Sequence, residues 1–283
     1  MNNYTNSTMD IIRAFKMDGL GNDFLIIDRR NMSVNLSKKK IIELAARTRI
    51  GFDQIIYIEK EQDNQTPITI FNSDGDEIEA CGNGTRCIGY FLGKERKVNN
   101  ILIKTKERIL KTEIVDKLMV RVNMGKPIFD WKQIPLSEEL DYKKINIEII
   151  DNDNNKFNEG FCLNIGNPHI IFFVKDCFNF NIEKLGPQIE NHMYFPKKCN
   201  VTFAQIIDKK NIVVNVWERG AGLTKACGTA ACATGIAGYI KNLTDRKCNI
   251  KFKEGQLNIN FDEEKNIFMT GPVSEIKKIE INI

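Results

Sequence analysis

Two cysteines stand where thiol chemistry would need them. Cys81 opens Cys81-Gly82-Asn83-Gly84-Thr85-Arg86-Cys87, and Cys227 opens Cys227-Gly228-Thr229-Ala230-Ala231-Cys232. Each follows an alanine, precedes a glycine and begins a stretch of small residues with helical character. The first N–H groups of a helix lack carbonyl partners and carry partial positive charge, which stabilises a thiolate and binds anions. A cysteine in that place is expected to have its pKa pulled below about 8.5. Glycine lets a ligand approach the backbone, and Asn83 and Thr229 add polar groups beside it. One Cys-Gly pair occurs by chance, but two related ones about half the chain apart point to two copies of one unit. If the copies face one another, two thiols and two helix starts converge on one cleft.

The remaining composition narrows what surrounds that chemistry. At 283 residues, against a typical domain of about 150, the length predicts two domains, each able to bury its own core. Lys and Arg number 41 and Asp and Glu 37, a net charge of +4 spread along the chain, which argues against a dedicated nucleic-acid or membrane-surface protein. No apolar run approaches the roughly 18 residues of a membrane helix. The polar start, residues 1–10, has neither the basic end nor the apolar core of a secretory signal, so the expectation is a cytoplasmic protein. Eight cysteines fall far short of the ~8–10% that marks a disulfide framework, so they are expected to be thiols. No two stand in Cys-x-x-Cys spacing, and His169 and His192 are the only histidines; no metal site is expected. Cys87 and Cys232 fall inside the helices and read, like the other four cysteines, as packing residues.

The elements that must hold the two cysteines follow from periodicity and turn residues. A strand over Ile12 to Met17, a polar turn Asp18 to Asp23 and a strand over Phe24 to Asp28 come first. Residues 37–48 predict a helix capped by Ser37, with Ile41, Leu44 and Ala45 on one face. Strands follow at Ile55 to Glu59 and near Ile68 to Asn72, then the Cys81 helix, then strands at Ile101 to Thr105 and Met119 to Asn123. Met124-Gly125-Lys126-Pro127 reads as a boundary. The second half has a low-complexity stretch at Asp151 to Asn155, read as a hairpin tip. It continues with Phe161 to Val174, a helix near 181–192, strands at 201–207 and 211–217, the Cys227 helix and closing strands.

Taken in order, Asp18-Gly19-Leu20-Gly21-Asn22-Asp23-Phe24, Phe71-Asn72-Ser73-Asp74-Gly75, the Cys81 motif, Gly166-Asn167-Pro168-His169, Trp217-Glu218-Arg219-Gly220 and Ala226-Cys227-Gly228-Thr229 resemble the diaminopimelate epimerase family over about residues 13–275. The resemblance implies an α/β fold of two pseudosymmetric domains, each a mixed curled sheet around a central helix. Residues 1–127, joined by a returning strand at 273–283, would form the N-terminal half and 128–272 the C-terminal half, with the active site between them. It implies an epimerase without cofactor that converts LL-diaminopimelate to the meso form for lysine and peptidoglycan synthesis, with a homodimer as a family expectation. Inverting an α-carbon without pyridoxal phosphate needs a base on one face and an acid on the other. Cys81 and Cys227 would be that pair, one thiolate and one thiol.

The backbone N–H groups of Gly82, Asn83, Gly228 and Thr229 would stabilise the charge that grows on the substrate. By position, Asn22, Gln54, Asn72, Asn167, Asn200, Glu218 and Arg219 would hold the distal end. Arg219 suits a carboxylate, while Glu218 and the amides suit an ammonium. The family resemblance also gives His169 and Glu218 a role in tuning the thiols. Alone, Asp18 to Asp23 and Gly166 to His169 would be ordinary turns and Glu218-Arg219 a solvated ion pair; the joint order is what carries the reading.

Leu223 stands where many members carry Glu, Ala230 replaces a common Gly, and Lys198-Cys199 precede Asn200 where the family varies. Leu223 is expected to have little effect. Two other readings stay open on the residues. One is a proline or hydroxyproline racemase of the same fold, which resembles Cys-Gly-His-Gly where this chain has Cys81-Gly82-Asn83-Gly84. The other is a redox or metal-binding thiol protein.

Overall fold

The structure, a computed structural model, describes residues 11–78, 81–106, 108–148 and 156–282. The chain start, residues 1–10, and the expected hairpin tip at 151–155 lie outside the described residues. The first half runs β1 (Ile11–Gly19), β2 (Asn22–Asp28), α1 (Lys38–Ala45), β3 (Gln54–Ile58), β4 (Thr66–Asn72), β5 (Glu77–Ile78), α2 (Gly82–Arg96), β6 (Asn100–Lys104), β7 (Ile109–Asp116) and β8 (Met119–Asn123). The second half runs β9 (Ile145–Glu148), β10 (Lys156–Asn164), β11 (Pro168–Phe173), α3 (Ile182–Glu190), β12 (Asn200–Asp208), β13 (Asn211–Glu218), β14 (Gly222–Leu223), α4 (Gly228–Ile240), β15 (Lys247–Phe252), β16 (Gly255–Phe261) and β17 (Ile267–Pro272). Last comes β18 (Lys277–Asn282).

The duplication is visible in the pairing. Strands β1, β2, β3, β4, β6, β7 and β8 join in that order through antiparallel, parallel, antiparallel, parallel, antiparallel and antiparallel ladders. Strands β10, β11, β12, β13, β15, β16 and β17 join with the same succession of senses. Every parallel step needs a crossover, and α1, α2, α3 and α4 lie within those four crossovers. The halves meet where β8 pairs antiparallel with β17, the last strand of each set. At the far ends β18 pairs with β1 and β9 with β10.

Each ladder wraps a central helix. Helix α2 packs on β1, β6, β7 and β8, and α4 on β10, β11, β12, β15, β16 and β17. Both are buried almost all round, residues 83–93 of α2 continuously, which is the pattern of a core helix rather than an amphipathic surface one. Helices α1 and α3 cover the sheets from outside through Ile41, Leu44 and Ala45 and through Ile182, Leu185 and Ile189. Ser37 caps α1 by accepting from Lys40 N at 3.2 Å, although the helix ends at Ala45 rather than at 48. Strands β7 and β9 have no counterpart in the sequence reading, and Phe161 to Val174 divides into β10 and β11 at Gly166, whose φ is 93°.

Candidate active site

Both helices start on a cysteine in the N-cap position. Cys81 (φ −140°, ψ 114°) and Cys227 (φ −127°, ψ 115°) are extended, and the chain turns helical at the following glycine. The Cys81 thiol itself caps α2, its Sγ accepting from Gly84 N at 3.4 Å. Thr85 N and Ala231 N make the first helical bonds, to the carbonyls of Cys81 and Cys227. The N–H groups of Gly82, Asn83, Gly228 and Thr229 therefore have no helical carbonyl within reach.

The two helix starts touch. A Cβ on Gly228 would stand 2.9 Å from Met269 Sδ and 3.5 Å from the Cα of Gly82, and one on Gly82 would stand 3.1 Å from Met269 Cε. The close approach thus requires glycine on both sides. Asn83 fastens the junction, donating from Nδ2 to the carbonyl of Ala226 at 3.3 Å.

A cleft of about 660 Å³ opens over this junction, lined by Cys81 and Cys227 and by residues of both halves. Asn22, Gln54, Asn72, Gly82, Asn83, Asn167, Asn200, Glu218, Arg219, Gly228 and Thr229 all line it. Six of these occupy repeat-equivalent positions. Gln54 and Asn200 open β3 and β12, Asn72 and Glu218 close β4 and β13, and Asn22 and Asn167 lie two residues before Phe24 and His169. The registers agree, since Phe24 pairs with Gln54 as His169 pairs with Asn200. His169 alone of the expected residues does not line the cleft; it is fully buried, in the place Phe24 fills in the first half.

Hydrogen bonds order these side chains. Cys81 Sγ donates to Asn22 Oδ1 at 3.7 Å, and the other end of that amide donates to Asp53 Oδ2 at 3.2 Å. Gln54 Nε2 donates to Asn72 Oδ1 at 3.1 Å, leaving Gln54 Oε1 buried without a protein partner, as is Asn83 Oδ1. Asn200 donates to Pro168 O at 2.9 Å and accepts from Arg219 N at 2.9 Å, so its amide spaces the loop that carries Arg219. Cys227 Sγ lies 3.4 Å from Thr229 Oγ1. Glu218 accepts from the Thr224 hydroxyl, while the Arg219 guanidinium donates to Lys197 O at 3.3 Å; Glu218 and Arg219 do not form the solvated pair that their adjacency suggests.

The electrostatics correct one expectation. Burial pushes the Cys81 thiol up to about 11 despite the N–H groups of Gly84 and Asn83 and the Arg86 cation, which pull it down, and the Glu218 charge pushes it up further. Cys227 is raised well above the usual thiol range by burial and by Glu218. The expected lowering by the helix starts is therefore outweighed by desolvation, and both cysteines rest as thiols at neutral pH. Burial also raises Glu218, against hydrogen bonds from Thr224 and Cys227 that lower it. His169 is driven down to about 3 by burial and by Arg219, so its ring is neutral. Its Nε2 meets Asn167 Oδ1 at 2.8 Å and its Nδ1 is unpartnered; the charge that acts on both thiols is that of Glu218.

A family model described as diaminopimelate epimerase matches residues 14–129 and 161–276, one stretch in each half. The chain belongs to the diaminopimelate epimerase family. The diaminopimelate epimerase of Pelagibacter ubique is 50% identical over 272 residues, covering 96% of this chain and 99% of that protein. That of Bartonella bacilliformis is 37% identical, covering 91% and 90%. Among solved structures, the fold is similar to a hydroxyproline epimerase from Agrobacterium vitis (TM-score 0.63, 9% identity, 96% of this chain and 93% of that one). It is also similar to a Bacillus anthracis PhzF-family phenazine biosynthesis protein (TM-score 0.62, 17% identity, 97% and 100%).

The structure of this family member adds residues that the sequence reading passed over. Glu190 on α3 takes the Trp217 indole N–H at 2.7 Å and Gly220 N at 3.1 Å, gripping both flanks of Glu218-Arg219. Its sequence signal is a glutamate in the apolar stripe of α3, directly after Ile189. Asp53 accepts from Asn22, from Asp23 N at 2.8 Å and from Arg47, and no local pattern marks it. Arg108 reaches the cleft with Nη1 donating to Met124 O at 3.0 Å. Leu223, the departure from the family pattern, is 44% exposed on the cleft wall. Cys87, Cys162, Cys177, Cys199, Cys232 and Cys248 are buried and form no disulfide, and among the described residues no cluster of His, Cys, Asp and Glu could hold a metal.

Proposed function

We propose that the protein epimerises LL-diaminopimelate and meso-diaminopimelate by a two-base mechanism between Cys81 and Cys227, without a cofactor. The observation that carries this reading is the meeting of the two helix starts, each with a cysteine in the N-cap position, Gly82 against Gly228, at the floor of one cleft. A substrate α-carboxylate seated on the N–H groups of Gly82, Asn83, Gly228 and Thr229 would have its α-carbon between the thiols. Negative charge that develops on proton removal delocalises into that carboxylate, where the helix starts stabilise it.

Both thiols rest protonated, so a base has to be made. Glu218 shares a hydrogen bond with Cys227 and is itself pushed upward by burial, which suits it to take the Cys227 proton. The resulting thiolate removes the α-proton from one face, and the Cys81 thiol gives a proton to the other. The turnover leaves the thiolate on Cys81 and the thiol on Cys227, the state from which the opposite isomer reacts. Asn22 accepts from the Cys81 thiol and holds it toward the substrate. Arg219, with Asn72, Gln54 and Asn167, holds the distal amino-acid end, and His169 keeps Asn167 in place.

Neutral and acidic amino acids lacking a second head group should fail at this distal set, which separates the proposal from proline-type racemisation. Incubation with LL-diaminopimelate in deuterated water, alongside proline and hydroxyproline, is expected to give α-deuterated meso product from diaminopimelate alone. No exchange at any pH refutes the reading, and stoichiometric zinc in an active preparation favours a metal-thiol protein instead. The domain division at about residue 127, with the terminal strand returning to the first half, a homodimer and a cytoplasmic location belong to the same proposal. Limited proteolysis, sedimentation and cell fractionation test them. Among the described residues no helix is long and apolar enough to cross a membrane.

A further inference from the structure

Arg86 is the largest fully buried side chain among the described residues, at 0% exposure. It lies on α2 one turn beyond the Cys81 helix start. Its Nε donates to Pro272 O at 3.4 Å and its Nη1 lies 3.7 Å from Met269 Sδ, while Nη2 is buried without a partner. Among the described residues no carboxylate forms an ion pair with it. The groups that face it are Asp18 from β1, Cys81 and Cys87 from its own helix and Cys232 from α4; β17 offers only the Met269 thioether and the Pro272 carbonyl. Glu218 from β13 is the other charge felt at Cys81.

A guanidinium stays charged, and burying one without an anion is costly. Such a group is retained where negative charge appears nearby. The place where it would appear is one side chain away, because Met269, which touches Arg86, also underlies both Gly82 and Gly228. Gly271 and Gly19 leave room for the guanidinium there: a Cβ on Gly271 would stand 3.1 Å from Nε and one on Gly19 3.5 Å from Nη2.

We propose that Arg86 is a positioning residue that sets a buried cation behind the junction of α2 and α4 and so favours negative charge at that junction, first as the Cys81 thiolate and then on the bound carboxylate. The second half of this statement rests on the epimerase reading, but the first does not. At an effective dielectric of about 20, one cation about 12 Å from the sulfur changes the thiolate equilibrium by roughly tenfold, and a nearer one by more.

The test is the pH dependence of Cys81 alkylation by iodoacetamide, with the modified residue located by mass spectrometry, in wild type, R86M and R86K. The expected result is a Cys81 alkylation rate at pH 8 about tenfold lower in R86M and close to wild type in R86K, with the R86M profile displaced to higher pH. Thermal melting is expected to show R86M folded, since it removes an unpaired buried charge; should it not fold, R86Q carries the same comparison. Wild-type alkylation in a folded neutral variant, or a folded R86K that behaves like R86M, overturns the proposal. Deuterium exchange on the same proteins separates the two readings, because alkylation needs no turnover. A wild type that alkylates as described but does not exchange diaminopimelate would remove the epimerase reading and leave Arg86 its effect on the thiol.

Discussion

The carboxylate of Glu190, at the end of α3, accepts the indole N–H of Trp217 at 2.7 Å. Its other oxygen accepts Gly220 N, so one buried side chain fixes both sides of the dipeptide Glu218-Arg219. Glu190→Ala leaves two donors without an acceptor and should destabilise the fold by about 2–4 kcal/mol. Glu190→Gln keeps one acceptor oxygen and presents an N–H where the other was. It is expected to remain folded and to raise KM for diaminopimelate about tenfold, with a smaller effect on kcat. Steady-state kinetics at two temperatures, with chemical denaturation of each variant, measure both effects; an unchanged KM in the Gln variant would count against a role in placing Arg219.

The two cleft cysteines should differ in kind from the other thiols. Cys81→Ala and Cys227→Ala each remove one of the two proposed proton-transfer groups and should reduce epimerisation by at least ~10²-fold. Cys87→Ala and Cys232→Ala lie in the packed interiors of α2 and α4, and should cost about 1–2 kcal/mol of stability with turnover little changed. Product analysis and melting curves of the four variants make the comparison. Full activity in either of the first two would falsify the two-base assignment.

Glu218 is expected to show opposite effects on thiol reactivity and on turnover. Its negative charge raises both Cys81 and Cys227, so Glu218→Gln should move Cys81 alkylation to lower pH. Epimerisation should nevertheless fall by about 10²-fold, because the group proposed to take the Cys227 proton is gone. In wild type, kcat/KM for the isomer that the Cys81 thiolate deprotonates should rise with pH on the alkaline side, since Cys81 is held up to about 11 and its thiolate fraction grows through that range. Parallel pH profiles of alkylation and of turnover, for wild type and the Gln variant, decide this.

His169 makes the acid limb of stability steeper. Its pKa is about 3 in the folded protein, by burial first and then Arg219, against 6.5 in the unfolded chain. Between those values the unfolded state binds the extra proton. Its contribution to stability is therefore present above about pH 6.5 and is lost as pH falls toward 3, at up to about 1.4 kcal/mol per pH unit. His169→Gln should flatten that limb relative to wild type. Denaturant midpoints measured from pH 7 to pH 4 would show it, and equal slopes would refute it.

Much of this molecule is written in consecutive residues. Ser37 capping α1, the turn at Asp18 to Asp23 and the duplicated Ala-Cys-Gly starts are local signals, because caps, turns and periodicity act over a few positions. The same holds for strands β1 to β4, whose apolar residues, alternating in β1 and β4 and continuous in β2 and β3, match the structure to within two residues at each end. Strands β7 and β9 carry weaker local signals, since Ile109 to Asp116 alternates weakly and is partly exposed, and Ile145 to Glu148 is short. The sequence by itself therefore determined two repeated units, each with a thiol at a helix start, and the amides and charges available to a substrate.

Tertiary structure alone decided how those residues act. The meeting of Gly82 with Gly228, the pairing of β8 with β17 and the contact of Arg86 with Met269, 183 positions away in the chain, join residues with no sequence proximity. The same holds for the thiols' protonation. A helix start favours thiolate, yet desolvation by side chains drawn from both halves drives Cys81 and Cys227 the other way. Burial is a sum over everything that packs around a group, so its sign against a local field is settled only when the chain has folded.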